Sequence, residues 1–184
     1  MATSFLGRSD LDRGLRNNNP GNIKDDGTPW LGKVGSDGIF VIFSDITWGI
    51  RAMAKAITTM VNRGDNTIRL LINEWAPPSE NSTDAYVNDV AGQTGQGADD
   101  LLQLDPATLH DLIRAIINHE NGAQAAQVLD ADIDAGIALA NGGVTAYAQA
   151  ASIALTGSPD NSTMILVGAA AALALLLYIV YDGE

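Results

Sequence analysis

RGLRNNNPGNIK, residues 13–24, is the least ordinary stretch of this chain, and its reading sets the rest. Three asparagines precede a Pro-Gly pair and a fourth follows it. Asn bonds its own backbone and tolerates the left-handed region, Pro fixes φ, and Gly allows positive φ. One turn needs one or two such residues, so the run predicts a shaped loop that presents amides. Arg13, Arg16 and Lys24 flank it and Ile23 closes it. Such a loop suits neutral, hydroxyl-rich ligands such as sugars; an ordinary surface loop is the other reading.

Working outward, 184 residues suffice for one domain plus an appendage. There is no cysteine, hence neither a disulfide framework nor a thiolate metal site. Two histidines, His110 and His119, are too few for a zinc site, and no metal or other cofactor is expected. A net charge of −12 argues against nucleic acid as a partner, because phosphate contacts need a basic surface. The charge is uneven: all ten Lys and Arg lie at or before Arg114, and residues 115–184 carry −7. Residues 1–10 hold no apolar signal-peptide core. By contrast, 164–181 (MILVGAAAALALLLYIVY) is 18 residues without a charge. As a helix it covers roughly 27 Å, close to the hydrocarbon thickness of a bilayer. It is expected to span a membrane once, with Tyr178 and Tyr181 at an interface; a buried core helix is the alternative.

Between these ends the apolar spacing predicts helices. The run Ile39-Phe40-Val41-Ile42-Phe43 reads as a strand or hairpin arm. Thr47 is placed as the cap of a helix bearing Ile50, Met53, Ile57 and Met60, ending before Gly64. A second helix runs from about Thr67 to Trp75 and is stopped by Pro77-Pro78. A third starts at Ser82 or Thr83, carries Tyr86, Val87 and Val90, and ends at Gly92. Asp105-Pro106 opens a fourth with an N-cap and a proline at the first helical position. Leu109, Leu112, Ile113, Ile116 and Ile117 form its stripe, and Asn121-Gly122 ends it. The Ala-rich residues after 122 favour helix and read as a stalk.

Chemistry is sparse. Only four of the 22 acids are glutamates: Glu74, Glu80, Glu120 and Glu184. Glu120 follows Ile113 by seven residues and Ile116 by four, which puts it on the apolar face at the helix C-terminal end. Burial and a helix C-terminus both disfavour a carboxylate's charge, the setting a general acid near neutrality needs. A solvated side chain at a frayed end fits the same pattern. Glu74, beside Trp75, points sideways. Glu80 lies in a turn segment, Ser79-Glu80-Asn81, without a nearby base for serine chemistry. Neither histidine sits in a recognisable triad spacing, and no phosphate-cradling Gly loop is present.

The series RNNNPGNIK, Trp30-Leu31-Gly32, Phe40 and Phe43, GIRAMAK (49–55), TIRLLINEWAPPSENSTDAY (67–86) and IINHENG (116–122) resembles a phage-encoded family of virion-associated structural proteins over about residues 13–122. A second resemblance is to lysozyme-like murein hydrolases. There a catalytic Glu ends an apolar helix, as in IINHENG, and an Asn-rich segment, a Trp-Xaa-Gly and an aromatic strand follow. SENSTDAYV (79–87) is similar to a Tyr-containing stretch of the glucosaminidase branch. The order differs: the Glu helix comes first in those enzymes and last here, so the resemblance implies a circular permutation.

Together these readings predict a mainly α (α+β) fold: a lysozyme-like helical domain with a short β-hairpin, a helical stalk and a single C-terminal transmembrane helix. The expected divisions are a flexible arm (1–12), the domain (13–122), a stalk or linker (123–162) and the span (163–181). The resemblances imply a membrane-anchored virion protein, in an internal virion membrane or the host envelope, that cleaves peptidoglycan glycan strands as a lytic transglycosylase or muramidase. Glu120 would be the catalytic acid, with Glu80 or Asp84 as a second carboxylate if one exists. Asn18, Asn19, Asn22 and Tyr86 would contact sugar. Implied partners are glycan strands, the lipid bilayer through 164–181 and other virion proteins. The alternative is a non-catalytic structural protein that binds the cell wall or fixes other particle proteins to a membrane; a holin-like membrane protein is a third reading.

Overall fold

The computed structural model describes residues 3–78 and 82–142, and Ala2–Ala140 make up one compact unit. Its order is α1 (Arg13–Arg16), β1 (Lys33–Ser36), β2 (Val41–Phe43), α2 (Ile46–Arg63), α3 (Ile68–Trp75), α4 (Thr83–Thr94), α5 (Pro106–Asn121), a 3-10 turn (Gly122–Gln127) and α6 (Asp130–Ala140). The strands pair antiparallel, Ser36 opposite Val41 and Lys33 opposite Phe43, with an irregularity between Lys33 and Gly35.

Capping explains where the helices begin. Thr67 Oγ1 accepts from Leu70 N at 3.2 Å, and Asp105 Oδ1 from Thr108 N at 2.8 Å. For α2 the cap is Asp45 rather than Thr47: its carboxylate accepts from Thr47 N at 3.0 Å, and the Thr47 side chain is buried inside the first turn. α4 runs through Gly92 and stops at Gly95, which takes the left-handed conformation. The main core joins Ile50, Met53 and Ile57 of α2, Leu71 and Ile72 of α3, Val87 and Val90 of α4, and Leu112, Ile113 and Ile116 of α5. Each such buried aliphatic side chain stabilises the fold by about 1.5–3 kcal/mol. A smaller cluster under the hairpin unites Val41 and Phe43 with Ala52.

Three expectations change here. No helix among the described residues is long and apolar enough to cross a membrane. The longest, α2, has 18 residues but carries Arg51, Lys55 and Arg63. The expected fold class, with its C-terminal transmembrane helix, is therefore corrected to a mainly helical fold with a two-stranded sheet; the segment 163–181 itself lies outside the described residues. Second, the first stalk residues enter the domain. α6 packs on α2 and α5, with Ile133 fully buried, and a Cβ at Gly136 would lie 2.4 Å from Ile50 Cγ2. Third, the N-terminal arm lies against the domain, with Phe5 and Leu11 buried and Ile46 N donating to Thr3 O at 2.9 Å. Short apolar stretches with no clear period docked because α2 and α5 offered them surface, which spacing alone does not show.

Candidate functional site: the end of α5 against the asparagine loop

The loop after α1 is a lattice of amides. Asn17 closes α1, and its Nδ2 donates to Asp37 Oδ2 at 2.6 Å. Asn18, at φ 52°, is fully buried. Its Oδ1 accepts from Phe5 N at 2.8 Å, and its Nδ2 donates to Ser4 Oγ at 3.0 Å and Phe43 O at 3.1 Å. Asn19, also fully buried, donates to Ile23 O and Val41 O, both at 2.9 Å, and accepts from Ile23 N at 2.9 Å. These amides hold the loop to the hairpin and the N-terminal segment. The loop lies hard on α2, since a Cβ at Gly49 would fall 2.0 Å from Asn18 O.

Asn22 is different. It too sits at φ 52°, but its Nδ2 donates to Glu120 Oε2 at 2.7 Å. The other carboxylate oxygen, Oε1, accepts from Tyr86 Oη at 2.9 Å. Residues 98 and 34 positions from Glu120 thus meet on one carboxylate. The apolar stripe of α5 fixes the helix, and Asn121, next in sequence, donates through Nδ2 to Pro20 O at 2.8 Å and Ile117 O at 2.9 Å. The end of α5 is therefore fastened to the turn that precedes Asn22. Two buried oxygens, Asn22 Oδ1 and Asn121 Oδ1, have no hydrogen-bond partner and both face Gly14. A Cβ there would lie 2.8 and 3.0 Å from them, so only glycine leaves them room.

Tyr86 is 2% exposed. Burial, and next the charge of Glu120, push its phenol up, so it acts as a neutral donor. Its ring stacks on His119, centroids 3.6 Å apart at 17°. His119 Nδ1 lies 2.7 Å from Asp89 Oδ2. Asp89 also accepts from Gln93 Nε2 at 3.0 Å, and these two contacts, Gln93 first, hold its carboxyl below the usual range. Sequence reasoning missed His119 and Asp89; the one available signal was the three-residue spacing of Tyr86 and Asp89, which shares a helical face.

The other expected residues are elsewhere. The Asp84 side chain is 93% exposed and faces Arg69 at 3.9 Å. Glu74 pairs with Arg63 at 2.6 Å on the surface. Glu80 lies outside the described residues. Among the described residues no cluster of three acidic or histidine side chains is arranged to hold a metal ion.

Fold and site define a mainly helical domain in which Glu120, near the end of a long helix, is held over an amide-built loop. No family model matches the chain. Protein P5 of Pseudoalteromonas phage PM2 is 41% identical over 117 residues, covering 60% of this chain and 72% of that protein, and the chain belongs to its family. This kinship supports a phage virion protein with a structural role.

Proposed function

We propose that this virion protein carries a peptidoglycan-cleaving, lysozyme-like domain in which Glu120 protonates the glycosidic oxygen. One observation carries the reading: Glu120, at the end of α5, meets the asparagine loop, its carboxylate bridged by Asn22 and Tyr86. That meeting is what a circularly permuted relative of the murein hydrolases requires. Two-carboxylate glycosidases place the second group roughly 5–9.5 Å away. Asp84 turns to Arg69, and Asp89 is engaged by His119 and Gln93. Glu80 lies outside the described residues, and with neither described carboxylate turned to Glu120 the reading favours lytic transglycosylase chemistry. A hydroxyl of the sugar attacks its own anomeric carbon, the bond to the leaving oxygen breaks, and that oxygen takes the proton of Glu120. The attacking hydroxyl then returns a proton to Glu120, and an anhydro end remains. Tyr86 and Asn22 orient the carboxyl, and neither changes charge.

The test compares the full chain with Glu120→Gln on purified murein sacculi, with products read by mass spectrometry. Loss of at least ~100-fold in release of anhydro-ended fragments is expected, the size of a general-acid contribution. A folded wild-type protein that releases nothing overturns the reading.

A second reading has its own observation. Both oxygens of Glu120 have internal donors, and the Asn18 and Asn19 amides are bonded wholly inside the protein. Glu120 would then clamp α4, α5 and the loop in a non-catalytic structural or wall-binding protein. Sacculus binding without turnover, together with a lowered unfolding midpoint in Glu120→Gln, is the outcome specific to it.

A further inference from the structure

We propose that His119 and Asp89 act as a positioning pair: they fix the Tyr86 ring and, through its hydroxyl, the rotamer of Glu120. The chain of contacts is continuous. Asp89 Oδ2 meets His119 Nδ1 at 2.7 Å, the imidazole stacks on Tyr86 at 3.6 Å, and Tyr86 Oη donates to Glu120 Oε1 at 2.9 Å. Each link removes a freedom. A Tyr ring set only by its two side-chain torsions still swings about χ2, whose well is broad. A near-parallel ring directly across its face narrows that well by van der Waals contact, since turning about χ2 would drive the two rings together. The imidazole would itself turn, and its bond to Asp89 prevents this. Asp89 in turn is held by Gln93, whose Oε1 accepts from Asn118 Nδ2 at 2.8 Å. The pair therefore ties α4 to the last turn of α5 at the level where Glu120 leaves the helix.

The two ends of this relay sit in different surroundings. Tyr86 is buried, whereas the side chains of His119 and Asp89 are 32% and 42% exposed. The imidazole covers the outer face of the Tyr86 ring, and the bond to Asp89 sets its orientation there. Its carboxylate partner is polar and half-exposed and adds no apolar area to the core. The arrangement is accounted for by what lies beyond the ring, the carboxylate of Glu120.

This inference rests on the proposed role of Glu120, yet it has a readout independent of turnover. The hydroxyl proton of a buried, bonded Tyr86 exchanges slowly and gives a resolved downfield NMR signal in the full chain. In His119→Ala and in Asp89→Asn that signal should broaden or vanish. Turnover on sacculi should fall in kcat by about tenfold to a hundredfold, the cost of a catalytic group displaced by about an ångström, with KM moving less than about twofold. His119→Phe keeps the stacked face without the bond to Asp89 and should restore part of both. An unchanged hydroxyl signal in both variants overturns the pair. Loss in His119→Ala with none in Asp89→Asn overturns it too, leaving a simple stack. If the wild type shows no turnover, the hydroxyl signal still decides the pair, and only the role given to Glu120 falls.

Discussion

Asn18 and Asn22 are the same residue, four positions apart, in the same left-handed backbone at φ 52°. One is fully buried and bonds the N-terminal segment and β2; the other reaches Glu120. The difference lies in what is overhead. Phe5 and Phe43 cover Asn18, whereas the end of α5 stops above Asn22. Asn is tolerated in the left-handed region at both, so conformation explains why both are Asn but not what either does.

Replacing each by glycine keeps the backbone and removes only the amide, which makes the contrast measurable. Asn18→Gly strands the buried Phe5 N–H and Phe43 carbonyl; at about 1–3 kcal/mol per unpaired group, a loss near 3 kcal/mol is expected by urea unfolding. Gly14→Ala comes next. Its methyl would displace the Asn22 and Asn121 amides, an overpacking cost of about 2 kcal/mol, with the Tyr86 hydroxyl signal perturbed as a local reporter. Asn22→Gly should cost about 1 kcal/mol, because Asn22 is only half-buried, while cleavage falls more than stability does. Equal losses from the two Asn→Gly changes would erase the contrast.

The smallest effect concerns Asp37, which anchors Asn17 and pairs with Arg13 through bonds of 2.6 and 2.8 Å. Those bonds, the Arg13 guanidinium first, hold its carboxyl well below the usual range. A depressed carboxyl stabilises the fold above its unfolded value near ~4 and loses that contribution as the pH falls below it. Asp37→Asn should lower the urea midpoint at neutral pH and flatten its decline in acid.

Legibility followed the range of the contacts. The stripe of α5, its Asp105-Pro106 start and its Gly122 end could be read directly. For Glu120 the spacing offered the apolar face and a solvated helix end alike, and the contacts with Tyr86 and Asn22 were not legible. The hairpin was half legible: β2 has an apolar run, while β1, Lys-Val-Gly-Ser, has none and exists because β2 pairs with it. In the site, Asn18 and Asn19 read like Asn22 because composition does not say which amide is covered. His119 stood inside IINHENG with no role assigned to it, and Asp89 showed only its spacing from Tyr86.

By itself, then, the sequence determined helices α2 to α5 and most of their ends, set by interactions within about four residues along the chain. Only the tertiary structure decided that Tyr86 and Asn22 share one carboxylate, that Asn18 is sealed and that α6 docks on α2. Those outcomes depend on which surfaces meet across 13 to 98 residues of chain. Close packing of the intervening helices selects them, and no local period records it.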